Sequence, residues 1–229
     1  MTAQGERGTA GPGAAIGVYV GSTSCKAVLV DRDGNRFVDE GEDEVWLTYA
    51  KTGWAIRAQK GARAWQIFDQ KTINLLEPRY STGTPVEAGS LEDLANKLGI
   101  SAAGLQQTVA ELNAACGPND GFDPFHKDGL RSGPGITPPK SNWAQPIDKA
   151  PYVAYAVTCG ITFTYGGLKI DTGAKVMSTV NAPLGGLYAT GEIAGGFFYH
   201  NYAAGSGLMR GATFGRIAGR NAVAEKPWC

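Results

Sequence analysis

The segment from Gly186 to Gly219 constrains the chain more than any other. It reads as a short strand, Gly186-Leu187-Tyr188-Ala189-Thr190-Gly191, that ends on Glu192. A glycine-rich loop then leads to Gly205-Ser206-Gly207-Leu208, and a helix runs on through Gly219. A carboxylate at a strand end can accept hydrogen bonds from a polyol chain. The N–H groups that open the next helix are unpaired and lie at the positive end of its dipole, so they suit an electron-rich, partly anionic group.

Both demands together fit a reduced flavin, with a ribityl chain beside Thr190, Gly191 and Glu192 and the N1–C2=O edge near Gly205, Ser206, Gly207 and Leu208. The helix adds to this. Gly211, Gly215 and Gly219 recur every fourth residue and make one bare stripe. Each costs a helix interior about 0.8–1.0 kcal/mol relative to alanine, so something must pack close on that face. That something is either a ligand-bearing unit or simply another backbone crossing tightly.

The same residues carry a family resemblance. Gly-Leu-Tyr-Ala-Thr-Gly-Glu, the pair Gly195-Gly196 and Phe214-Gly215-Arg216-Ile217-Ala218-Gly219 resemble the C-terminal FAD-binding segment of the fumarate reductase/succinate dehydrogenase flavoproteins. Thr162-Phe163-Thr164-Tyr165-Gly166-Gly167-Leu168 resembles that family's substrate-side Thr-x-Gly-Gly motif. Asp33-Gly34-Asn35-Arg36-Phe37-Val38-Asp39-Glu40 resembles its capping-domain motif. Within the family the motifs look most like the tricarballylate dehydrogenase-like branch. The resemblance implies FAD as cofactor and hydride transfer between flavin N5 and a substrate C–C bond.

Members of that family begin with a strand–Gly-x-Gly-x-x-Gly–helix unit for the FAD pyrophosphate. Gly11-Pro12-Gly13-Ala14-Ala15-Ile16-Gly17 is the one run that approaches it, with proline in the turn and no strand before it. The expected fold class is therefore α/β (α+β): a capping domain plus the C-terminal part of an FAD-binding Rossmann-like domain, with the N-terminal dinucleotide-binding unit missing. The expected layout is a disordered N-terminus at 1–14, a capping/substrate domain at 15–150, and the C-terminal portion of the FAD-binding domain at 151–229. A chain so divided is expected to leave the glycine stripe without a partner, and so to self-associate or to need its N-terminal half.

Composition narrows the partners. The 229 residues carry 21 basic and 21 acidic side chains, so no basic field exists for nucleic acid or an anionic membrane. The 33 glycines are about twice the usual share of ~7%. Cys25, Cys116, Cys159 and Cys229 are far apart, with His126 and His200 as the only histidines, so no metal site is expected. Reduced thiols, no signal peptide and no apolar run of about 18 residues together predict a cytoplasmic protein.

Along the chain, strands are expected at Ile16–Val20, Ala27–Val30 and Ala64–Phe68, with a solvated acidic loop at Asp39–Glu44 and a helix over Thr48–Gln59. Ser90 and Ser101 each cap a helix, the first stopped by Gly99. Residues 117–151 read as a long inter-domain hinge. Tyr152–Thr158, Leu168–Ile170, Lys175–Val180 and Leu187–Thr190 read as strands of a meander.

The resemblance also assigns roles. Arg36, on the capping motif, and Phe163, Thr164, Tyr165 and Gly166, on the Thr-x-Gly-Gly motif, are the substrate-binding candidates. The family's proton-donating arginine aligns with Tyr49, its substrate histidines with Phe163 and Phe198, and its clamping arginine with Tyr202. Aromatic rings thus stand where a bidentate grip on carboxylates is expected. Tyr49, His200 and Tyr202 are the catalytic candidates, provided a tyrosine pKa is lowered; the alternative is that these rings merely pack and that His200 binds backbone. Arg210 can point to a phosphate, a carboxylate or solvent. The expected substrate is a small molecule, a carboxylate among the candidates, other than fumarate or succinate.

Two further readings compete. Ile16 to Asp31 resembles the first phosphate hairpin of actin-like sugar kinases, with Tyr19 where an acid is needed. The other is a non-catalytic fragment or split subunit.

Overall fold

A computed structural model describes residues 16–17, 27–160, 164–199 and 201–226. The expected disordered segment 1–14, most of the kinase-like run, Phe163 and His200 lie outside these residues. By its contacts the chain divides into two units, Met1–Gly160 and Ile161–Cys229. Both are mixed helix and sheet, as the sequence led one to expect.

The first unit is built on strand β5 (Tyr152–Thr158), which pairs antiparallel along its length with β3 (Arg63–Phe68). Beyond β3 lies β2 (Val28–Val30). The opposite edge of β5 takes β1 (Ile16–Gly17), in parallel, and β4 (Val86–Ala88). The sequence placed Tyr152–Thr158 at the start of the second domain; it is instead the spine of this sheet.

Alternate side chains sort the two faces. Val28, Val30, Trp65, Ile67 and Ala154 pack under helices α2 (Leu91–Leu98) and α3 (Ala102–Ala115). Leu29, Ala64 and Val157 pack with Ile56 of helix α1 (Val45–Arg57) on the other face. The caps are as read: Ser90 Oγ accepts from Asp93 N–H at 3.1 Å and Ser101 Oγ from Gly104 N–H at 3.1 Å. Gly99 ends α2 at φ +68°.

Two expectations need correcting. The segment 117–151 is no hinge, because it is packed into the first unit. Trp143 is buried and its indole N–H donates to the Asp123 carbonyl at 2.8 Å, while Lys140 is buried with Nζ donating to the Ala27 carbonyl at 2.6 Å. Nor is the acidic loop simply solvated. Glu40 accepts from the Leu29 N–H at 2.7 Å and forms a two-pronged pair with Arg36, 3.1 Å from Nε and 2.6 Å from Nη2. Lys140 Nζ lies 3.9 Å from the same carboxylate. Both partners of the Arg36–Glu40 pair have side chains 4% exposed.

In the second unit β6 (Lys175–Met177) and β7 (Pro183–Tyr188) form a hairpin, and helix α4 (Ser206–Ala224) packs beside it. Isolated bridges, Ile170 with Val176 and Leu168 with Ala194, replace the longer meander. Glu225 pins the end of α4 to the hairpin, holding Lys175 Nζ at 2.8 Å, the Tyr188 hydroxyl at 2.6 Å and the Gly186 N–H at 3.2 Å. The Lys175 and Tyr188 donors bring its pKa down to about 2. Asn221 Nδ2 adds a bond to the Gly173 carbonyl.

Burial by itself would raise the Glu40 carboxyl, but Lys140, Arg36 and the Leu29 N–H outweigh it, and the pKa ends below its ordinary value. A carboxyl depressed on folding stabilises fully above its unfolded pKa and loses that stabilisation as pH falls toward the folded value. Glu40→Gln should therefore cost about 3–5 kcal/mol at neutral pH, the range for removing one member of a buried pair. The gap between wild type and variant should narrow below about pH 4.5. Denaturant unfolding of both proteins across that range checks this; equal midpoints at pH 7 would contradict it.

Candidate functional site

Two glycine pairs build the site. Gly166-Gly167 lies directly against the Ile193–Gly195 backbone. A Cβ on Gly167 would stand 2.3 Å from the Ile193 carbonyl oxygen, and one on Gly195 would stand 2.5 Å from the Gly167 nitrogen. Gly167 also has φ +151°. This approach permits three backbone bonds: Leu168 N–H to the Ile193 carbonyl at 2.7 Å, Gly195 N–H to Leu168 at 3.0 Å, and Gly196 N–H to Tyr165 at 3.3 Å. The substrate-side motif and the glycine loop are therefore one structure.

That junction sets Glu192. One carboxylate oxygen accepts from the Thr164 N–H at 2.6 Å and from the Thr164 hydroxyl at 3.3 Å. The other lies 3.0 Å from Nη2 of Arg210. The Glu192 side chain is still 52% exposed, while that of Arg210 is 4% exposed. The choice left open by sequence resolves in favour of a carboxylate: Arg210 points to Glu192. Its guanidinium also lies 5.3 Å from the Phe197 ring centre and 5.2 Å from that of Phe198.

The start of α4 is open to a ligand. Gly205 caps it at φ +84° with no side-chain bond. The Ser206 N–H bonds the Ala203 carbonyl, and the Gly207 N–H is taken by the Tyr202 hydroxyl at 2.7 Å. A Cβ on Gly207 would come within 2.6 Å of that hydroxyl, so a side chain there would displace the tyrosine tip from the N–H. The Leu208 N–H has no partner among the described residues. An unpaired N–H at a helix start and a half-exposed carboxylate with unused lone pairs are the two features an isoalloxazine edge and a ribityl chain need. The residues fit the flavin that the motifs imply.

Two of the four aromatic rings singled out from the resemblance, Phe198 and Tyr202, pack together, with Tyr165 beside them. Phe198 packs on Tyr202 at 4.6 Å and on Tyr165 at 5.9 Å between ring centres. Burial pushes the Tyr165 phenol up, with Tyr202 adding to the shift, so Tyr165 stays protonated at neutral pH and can donate but not accept a proton. The lowered pKa that a basic tyrosine requires is not found at this position.

Thr164, Tyr165, Gly166, Thr190, Gly191, Glu192, Tyr202 and Gly205–Leu208 are all brought into the second unit. Arg36 and Tyr49 lie in the first. Arg36 is corrected from a substrate contact to an internal ion pair: its Nη1 also donates to the Pro138 carbonyl at 2.7 Å, and only 9% of the residue is exposed. Tyr49 packs against Val45 and Trp143. The glycine stripe is not the site of an unusually close approach. A Cβ added to Gly211 would lie 3.7 Å from the Gly191 Cα and one on Gly215 3.8 Å from the Thr190 Oγ1, both ordinary contact distances, and a Cβ on Gly219 would meet nothing among the described residues. What the sequence missed is Arg210 as the partner of Glu192. Its unusual place near the start of a helix was the one available signal.

Among the described residues no helix is long and apolar enough to cross a membrane, and no group of three metal-binding side chains occurs.

The family described as FAD binding domain matches residues 3–208. Over 200 residues the chain is 33% identical to the fumarate reductase (cytochrome) of Shewanella frigidimarina, covering 86% of this chain and 32% of that protein. It is 30% identical to urocanate reductase of Eggerthella lenta, covering 90% and 33%. Among solved structures, 3-ketosteroid delta1-dehydrogenase from Sterolibacterium denitrificans superposes with a TM-score of 0.69 at 27% identity, covering 93% of this chain and 42% of that one. The chain thus spans about a third of the length of these curated relatives. The family match includes Ile16 to Asp31, the run on which the kinase reading rested, and replaces that reading.

Glycine substitutions separate the tight contacts from the loose one. Gly167→Ala and Gly195→Ala should each destabilise the second unit, because backbone must move. Gly219→Ala should stabilise α4 by up to about 1 kcal/mol. Amide hydrogen exchange in 206–224 for the three variants gives the comparison, and a destabilised Gly219→Ala would show that the stripe is covered.

Proposed function

The chain belongs to the FAD binding domain family, and on that premise we propose that it is part of an FAD-dependent oxidoreductase of the dehydrogenase or ene-reductase type. In this reading the first unit serves as a capping domain and the second, from Ile161, as part of the flavin-binding domain. The observation that carries it is the corner where half-exposed Glu192 meets the open N-terminus of α4. Glu192 would accept from the ribityl hydroxyls, with Thr190 and Gly191 shaping the approach, and Gly205–Leu208 would meet the electron-rich edge of the ring. The cofactor, when bound, supplies hydride transfer at N5. The protein's task is to hold it, to orient a substrate and to handle a proton. Tyr49, His200 and Tyr202 are the groups proposed for the proton, with Tyr165 as a neutral donor at the substrate side.

Phe163, Phe198 and Tyr202 stand where the family's substrate-gripping histidines and arginine align, and neither a phenyl ring nor a phenol can supply two parallel N–H···O bonds. We therefore propose that fumarate and succinate are not substrates. A larger, partly apolar acid fits better, or a tricarboxylate as in the tricarballylate dehydrogenase-like branch. A cytoplasmic setting, and association with a dinucleotide-binding unit or a second copy, belong to the same proposal.

Titration of the purified chain with FAD, followed by flavin fluorescence, tests the assignment. Glu192→Ala should weaken binding roughly 10- to 150-fold, since a hydrogen bond to a charged group contributes about 1.5–3 kcal/mol. Unchanged affinity would refute the role of Glu192. Absence of any flavin binding, also after a dinucleotide-binding unit is supplied, would favour a non-catalytic fragment.

A further inference from the structure

Among the described residues of the second unit, Arg210 is the one buried charged side chain, 6% exposed. Only part of its hydrogen-bonding capacity is used. Nη2 reaches Glu192, but Nε and Nη1 are buried without a partner among the described residues. The Phe197 and Phe198 rings next to the guanidinium offer π-faces, not lone pairs along the N–H directions. Buried donors on a charged group are costly to leave unmade, and native proteins rarely tolerate them. Arg210 also lines a groove of about 620 Å³ with Phe197, Phe198, Gly205, Ser206 and Phe214, at the N-terminal turn of the 19-residue helix α4.

We propose that this groove is a binding site for an anionic-oxygen ligand with a flat or apolar body, gripped by the free donors of Arg210 at the positive end of α4. The cation enters from the helix side of the glycine loop, where Phe198 and Tyr202 have removed the charge from the loop itself. The aromatic walls bury the ligand's body and raise the worth of the charged contact by excluding water. Two sources share this chemistry: the carboxylate of a substrate, and the pyrimidine edge of a flavin. The first stands without the cofactor assignment; the second rests on it.

Nitrogen-15 NMR of the full chain reads the Arg210 Nε–H directly. Sodium benzoate, its neutral isostere benzamide, and FAD are the probes, each added separately. Benzoate, FAD or both should shift that resonance, and benzamide should leave it in place. Arg210→Met should bind the active probe at least tenfold more weakly, with Arg210→Lys in between because it keeps the charge but loses the planar donors. The exposed position of Glu192 lets water replace its partner in the variant, and Arg210→Lys guards against a folding defect. A resonance unmoved by both anions, or equal affinity in wild type and Arg210→Met, overturns the site. FAD bound equally by Arg210→Met, with benzoate inert, overturns it while leaving the flavin assignment intact. Arg210-dependent benzoate binding without any FAD binding supports the site and tells against the flavin.

Discussion

Everything at the candidate site depends on two stretches of backbone lying closer than any side chain would permit. Gly167 and Gly195 lack the Cβ atoms that would collide with the Ile193 carbonyl and the Gly167 nitrogen. The bonds of Leu168, Gly195 and Gly196 then stitch the segments together. Only with that junction in place does the Thr164 N–H reach Glu192, 28 residues further along. Glu192, in the 3-10 turn Gly191–Ile193 that follows β7, is thus held by the Thr164–Leu168 segment, and the two motifs form one corner rather than standing as neighbours.

The helix side of the corner is a balance of charge and access. A helix start attracts anions, so a cation at Arg210, the fifth residue of α4, is poorly placed unless compensated. Glu192 compensates it, and the aromatic rings of Phe197 and Phe198 accept its π-facing surface. Tyr202 occupies one N–H of the turn with a neutral hydroxyl, which Gly207 makes room for. What is left for a ligand is the Leu208 N–H, the outer lone pairs of Glu192 and the inner donors of Arg210. The chemistry of that set suits oxygen-rich and anionic groups.

How much of this was legible beforehand follows the range of the forces. Ser90, Gly99 and Ser101 act within one helical turn, and their caps were read correctly from sequence. The acid-loop-helix order from Thr190 to Leu208 was also visible, because it is contiguous. Arg36 was misread because its fate is set by the Pro138 carbonyl, 102 residues away, and by Lys140 behind Glu40. The 117–151 segment looked like a linker by composition, yet Trp143 and Lys140 bury themselves in the first unit. The glycine stripe suggested very close packing, yet a methyl group on Gly211 or Gly215 would sit at ordinary contact distance from Gly191 or Thr190; the close approaches are at Gly167 and Gly195 instead. Membership of a flavoprotein family came from motifs; the Glu192–Arg210 pair came only from geometry.

The proposed flavin corner consists of Glu192 and the first turn of α4. The most direct measurement is amide hydrogen exchange of the full chain with and without FAD, resolved at Thr164 and Leu208. FAD should slow exchange at Leu208, whose N–H gains an acceptor, and at Thr164, whose bond to Glu192 is held more firmly when that carboxylate is engaged. Binding of FAD that leaves both amides unchanged while protecting other segments would place the cofactor elsewhere and contradict the account.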